Sequence, residues 1–205
     1  MGQLALNIHN IHLGAFDRGY CYAAEKLTRN LLRKKISICD IKDDCNRTVL
    51  HSSFASTEDL KLFLQIAGDD TWKLLTTQTK FPSNRSSEKC FFQKWSIFGQ
   101  TPLHFATEQN FYLASIKLLL DAVGDNVSTL LFMQNDCKET ALHCAVKHND
   151  LLDCNNIKIV RLLLDTAGDH LQDFMNILNK DGKTAFDIAT PEVKAIMLPY
   201  MQNNQ

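Results

Sequence analysis

Long apolar runs are missing from this sequence. None approaches the roughly 18 consecutive residues that a membrane-crossing helix needs, so no membrane insertion is expected. Net charge is nearly missing too: 22 Lys and Arg stand against 23 Asp and Glu, a formal −1. No global field then draws the chain to nucleic acid or to an anionic lipid surface. The opening MGQLALNIHNIHLGAFDRGY has no basic stretch leading into an apolar one, which argues against a standard secretory signal. Met1-Gly2 is not followed by the Ser or Thr that favours myristoylation. The cysteines, at 21, 39, 45, 90, 137, 144 and 154, include no CxxC pair. An odd number at irregular spacing fits free thiols in a reducing compartment, and so a cytoplasmic location. The sequence shows no nucleophile elbow, phosphate-binding loop, HExxH motif or paired catalytic carboxylates. Neither a cofactor nor a small-molecule substrate is expected.

What is present is repetition. Three segments align without gaps from their Gly-Asp ends: AGDDTWKLLTTQT from Ala67, VGDNVSTLLFMQN from Val123 and AGDHLQDFMNILN from Ala167. Before them run the apolar stretches LKLFLQI, IKLLLDA and VRLLLDT. A second frame recurs as TVLH at Thr48, TPLH at Thr101 and TALH at Thr140, with TAFD at Thr184. Thr101 can cap a turn, and Pro102 suits its first helical position. Ile116, Leu119 and Leu120 share one helical face. Gly68, Gly124 and Gly168 can close that helix in the left-handed conformation. The aspartate after each glycine is expected to cap a third short helix, along which Val127, Leu130 and Leu131 form an apolar stripe.

TPLHFA followed by the LLLD helix resembles the ankyrin repeat, whose signature is T-P-L-H-x-A with a period of about 33 residues. The resemblance runs from about Asp43 to Met201. It implies an all-α ankyrin-repeat solenoid, a non-catalytic surface and a protein partner. It also implies that His51, His104 and His143 are structural, bonding backbone groups around the turn and locking adjacent repeats. Asp187 replaces the fourth histidine, as suits a terminal repeat that faces solvent. His143, Cys144, His148 and Cys154 match no common zinc spacing, so no metal site is expected. Small ankyrin proteins with such degenerate, helix-extended repeats are similar to effectors that intracellular bacteria deliver into host cells, which would place the chain in a host cytoplasm; a eukaryotic cytosolic adaptor is the rival setting.

Three departures from the family matter. The Thr-to-Thr spacings are 53, 39 and 44, lengthened by the third helix, which stands where hairpin fingers would be. Thr79 to Thr101 spans 22 residues, whereas Asn135 to Thr140 and Asn179 to Thr184 span five, so about 17 are extra. This insertion, 80–98, is turn-like in its first half and then packs Phe91, Phe92, Trp95 and Phe98 among basic residues. Aromatic-plus-basic composition favours interface hot spots, so Phe81, Arg85, Lys89, Phe91, Phe92, Lys94 and Trp95 are the expected partner-binding residues. The rival reading folds the aromatics back onto the solenoid. The loop KHNDLLDCNNIK is also five residues longer than its counterpart.

The resulting division is a helical N-terminal cap over 1–40, repeats at about 41–79, 99–135, 136–179 and 180–201, and the insertion at 80–98. The cap is read from Tyr20, Ala23, Ala24, Leu27, Leu31 and Leu32, which share one side of a helix. The alternative function is a cryptic cysteine-dependent enzyme using Cys90 or Cys154 with His148, which rests only on residue types.

Overall fold

A computed structural model describes residues 37–42, 45–51, 57–81, 98–108, 113–147 and 154–202. The described elements are helices and turns, with no strand among them. The helices are α1 (Thr57–Ala67), α2 (Thr71–Leu75), α3 (Pro102–Glu108), α4 (Leu113–Asp121), α5 (Val127–Phe132), α6 (Ala141–Val146), α7 (Cys154–Ala167), α8 (Leu171–Met175), α9 (Ala185–Ile188) and α10 (Pro191–Gln202). Short 3-10 turns cover Ile38–Asp40, Val49–His51, Gly68–Asp70, Gly124–Asn126 and Gly168–His170.

The elements stack in rows. The Val49–His51 turn, α3, α6 and α9 pack one against the next as an inner row. Helices α1, α4, α7 and α10 do the same as an outer row. Spacing explains the outer row. Leu60, Phe63 and Ala67 on α1, Ile116, Leu119 and Leu120 on α4, and Val160, Leu163, Leu164 and Ala167 on α7 are buried at helical intervals. Each of these Leu, Ile, Val and Phe side chains contributes about 1.5–3 kcal/mol by leaving water. The third helices α2, α5 and α8 bury Leu74-Leu75, Leu130-Leu131 and Phe174-Met175 in the same continuous core. The architecture is therefore the all-α repeat solenoid, with helices where hairpin fingers would stand.

Gly124 sits at φ 57°, and Gly68 and Gly168 at 50° and 51°, the left-handed conformation expected at the close of each outer helix. The expectation for the following aspartates fails. A 3-10 turn intervenes, and the residues before α2, α5 and α8 are Asp70, Asn126 and His170, none with a side-chain cap bond. A capping residue needs extended backbone. These three have ψ of 2°, 11° and 7°, because the turn feeds the helix without a break.

The longer third-repeat loop is partly helix. Cys154–Asn156 belong to α7, which has 14 residues against nine in α4. Most of the expected N-terminal cap, through residue 36, lies outside the described residues. Its described end, Ile38–Asp40, packs on α1 and α2 and buries Ile38 and Cys39.

Candidate functional site

The three histidines sit in the seams between repeats and are at most 1% exposed. In each, Nδ1 faces its own turn. The Thr101 N–H donates to His104 Nδ1 at 3.3 Å, with the Thr101 hydroxyl 2.7 Å away. Nε2 then donates to the Glu139 carbonyl of the next repeat at 2.9 Å. His51 repeats the pattern with Thr48 N (3.0 Å) and the Gln100 carbonyl (3.1 Å). His143 does so with Thr140 N (3.3 Å) and the Lys183 carbonyl (3.2 Å). A carbonyl can only accept, so the ring proton belongs on Nε2 and Nδ1 is the acceptor. In the fourth frame Asp187 Oδ2 accepts from Thr184 N and Oγ1, both at 2.8 Å, and reaches no further. Carboxylate for imidazole keeps the local turn and drops the inter-repeat donor.

Burial holds His104 down to about 4 from its ordinary 6.5, only partly opposed by its bond to the Glu139 carbonyl. Burial lowers His143 as well. The native state thus prefers neutral rings, while the unfolded chain takes up protons near 6.5. For His104 stability is therefore full above about pH 6.5 and is lost as pH falls toward 4, at up to about 1.4 kcal/mol per pH unit, and His143 adds to the same trend. Urea midpoints should be clearly lower at pH 5 than at pH 7.5; equal midpoints would refute the neutral-ring seam.

The turns between repeats form a second ladder. Backbone N–H groups of Lys80, Asp136 and Lys180 donate to carbonyls of Cys45, Phe98 and Cys137, at 2.8, 2.9 and 3.0 Å. Gln78 Nε2 reaches the Gln134 carbonyl at 2.9 Å, and Gln134 Nε2 reaches the Leu178 carbonyl at 3.1 Å. The sequence carries a signal for this: the glutamines stand one residue before Thr79 and Asn135, and Leu178 stands before Asn179. Two residues before each frame threonine the backbone is left-handed: Asn46 at φ 59°, Gly99 at 75°, Lys138 at 54° and Gly182 at 69°.

The insertion hangs on this ladder. In the second repeat, Asn135 N donates to Glu139 O at 2.9 Å and Glu139 N to Asn135 Oδ1 at 3.0 Å. In the first, Thr79 N donates to Gln100 O at 2.9 Å and Gln100 N to Thr79 Oγ1 at 3.0 Å. The same two bonds close both turns, although one encloses 136–138 and the other 80–99. Phe81 is 55% exposed, and its ring meets Phe98 edge-on with centroids 5.2 Å apart. Arg85, Lys89, Phe91, Phe92, Lys94 and Trp95 lie outside the described residues.

The chemistry of the remaining candidates is plain. Among the described residues Cys39, Cys45, Cys137 and Cys144 are in no disulfide. Burial pushes the Cys144 thiol far up, the opposite of what a nucleophile needs. Cys90, His148 and the side chain of Cys154 lie outside the described residues. Among the described residues no group of three or more His, Cys, Asp or Glu is placed to hold a metal ion, and no helix is long and apolar enough to cross a membrane.

The family model described as Ankyrin repeats (3 copies) matches residues 70–170. No curated protein matches the chain significantly. The matched segment spans α2 to the turn after α7, and so contains the whole seam of His104, the His143 side of the next seam and the root of the insertion. With its TxLH frames, stacked helix rows and inter-repeat ladders, the chain is an ankyrin-repeat protein.

Proposed function

We propose that this chain is a non-catalytic protein–protein interaction module whose partner binds through the solenoid surface and the aromatic, basic insertion. Ankyrin repeats bind proteins in general, and among the described residues no group of three or more His, Cys, Asp or Glu is placed to hold a catalytic metal. One observation carries the finer reading. The solenoid closes at Thr79 and Gln100 with the bonds it uses elsewhere, so the 20 residues between are not needed to close the turn. At their root they leave Phe81 more than half exposed. Exposed aromatics beside basic residues are what hot spots favour. Adaptor, inhibitor and delivered effector share this mode, each covering a partner's surface in a cytoplasm, its own or a host's. The free thiols support such a reducing compartment.

The test replaces Lys80–Gly99 with Asp-Ala-Gly, the length used by the second repeat. The melting temperature should fall by no more than a few degrees, and a partner identified with the intact chain by pull-down and mass spectrometry should be lost. Full retention of that partner by the shortened chain would place binding on the rest of the solenoid instead.

A further inference from the structure

The net charge of −1 is unevenly spread. The 3-10 corners carry Asp69, Asp70, Asp125 and Asp169, all exposed. The turn ladder carries Lys80, Lys138, Lys180 and Lys183, all exposed, against exposed Asp136 and Asp181. Backbone bonds of 2.8–3.0 Å between successive turns place these tips side by side. Apolar surface shares the row: Phe81 is 55% exposed at one turn and Leu178 51% exposed beside another. Leu178 occupies the place where Gln78 and Gln134 reach the next turn.

We propose that the turn edge, from Lys80 and Phe81 through Lys138 to Leu178, Lys180 and Lys183, is a continuous docking surface for an acidic protein segment carrying apolar side chains. This rests on the interaction-module reading and adds the surface and the chemistry of the partner. Charge complementarity selects the sign: four lysines against two aspartates attract an acidic chain and repel a basic one. The interleaved aspartates and the exposed Phe81 and Leu178 favour a protein over a nucleic acid, whose uniform phosphates would meet both carboxylates. The edge is pinned by backbone bonds, so its main chain is in place before the partner arrives, which reduces the ordering cost of binding.

The experiment uses the full chain and three fluorescent probes: an 18-residue peptide of Glu with interspersed Phe and Leu, the same peptide with Lys for Glu, and a single-stranded oligonucleotide of similar length. The acidic peptide should bind most tightly by anisotropy, and binding should weaken as salt rises. Lys138→Glu with Lys180→Glu should weaken it about tenfold or more, with the helical circular dichroism unchanged; Lys138→Gln with Lys180→Gln should give a smaller loss. Equal binding of both peptides, tighter binding of the oligonucleotide, or indifference to charge reversal would each overturn the proposal. If the charge-reversed chain still captures the intact chain's cellular partner at full affinity, this edge is wrong and the module reading stands. No specific capture by the intact chain would defeat the module reading itself.

Discussion

His104→Ala is expected to lower stability by about 3 kcal/mol, the cost of stranding buried donors and acceptors. The ring serves two repeats at once. Its removal leaves the Thr101 N–H and the Glu139 carbonyl without their ring partners inside a fully buried seam. A cavity adds to the loss. For a chain of this size the melting temperature should fall by roughly 6–12 °C. Asp187→Ala is the internal control. Asp187 holds the same frame position, but it is exposed and bonds only its own turn, so about 1 kcal/mol is expected, the usual value of a cap. Calorimetry on the two variants decides the matter. Equal losses would mean that the inter-repeat bond contributes nothing beyond the local turn.

Gly99→Ala should cost about 3 kcal/mol, for two separate reasons. The backbone is left-handed at φ 75°, where an L side chain is strained. The added Cβ would also stand 2.5 Å from Asp136 Oδ1 and 2.7 Å from the Asp136 backbone nitrogen. The carboxylate can move aside, but the nitrogen cannot, because Asp136 N–H is bonded to the Phe98 carbonyl. The reverse change at the equivalent position is a matched test. Lys138 holds φ 54° without being glycine, and Lys138→Gly should stabilise by about 1 kcal/mol. Chemical denaturation of both variants should therefore move the midpoint in opposite directions. Two shifts of the same sign would defeat the account of the turn.

Much of the architecture was legible in the residues. The recurrence of TxLH and Gly-Asp marked the repeats, and the apolar spacing of Ile116, Leu119 and Leu120 marked the face that α4 buries, because periodicity maps directly onto a helix face. The glycine conformations at the helix ends also followed from residue type. The corner aspartates do not cap the third helices, because a 3-10 turn runs straight into each of them and leaves no extended residue from which a side chain could cap. The acidic–basic segregation was invisible along the chain, where Lys80 and Lys180 lie a hundred positions apart.

The sequence by itself determined the all-α class, the four frames, and the excess of about 17 residues between Thr79 and Thr101, since length, spacing and residue type are local quantities. Tertiary structure alone decided what those parts touch. It set which nitrogen of each imidazole faces its own turn and which reaches the next repeat. It showed the insertion closed by the two bonds used at Asn135 and Glu139, and it brought the turn lysines into one edge. Each of these depends on groups brought together by stacking, 35 residues apart for His104 and the Glu139 carbonyl. Separation in sequence carries no information about such contacts until the helices pack.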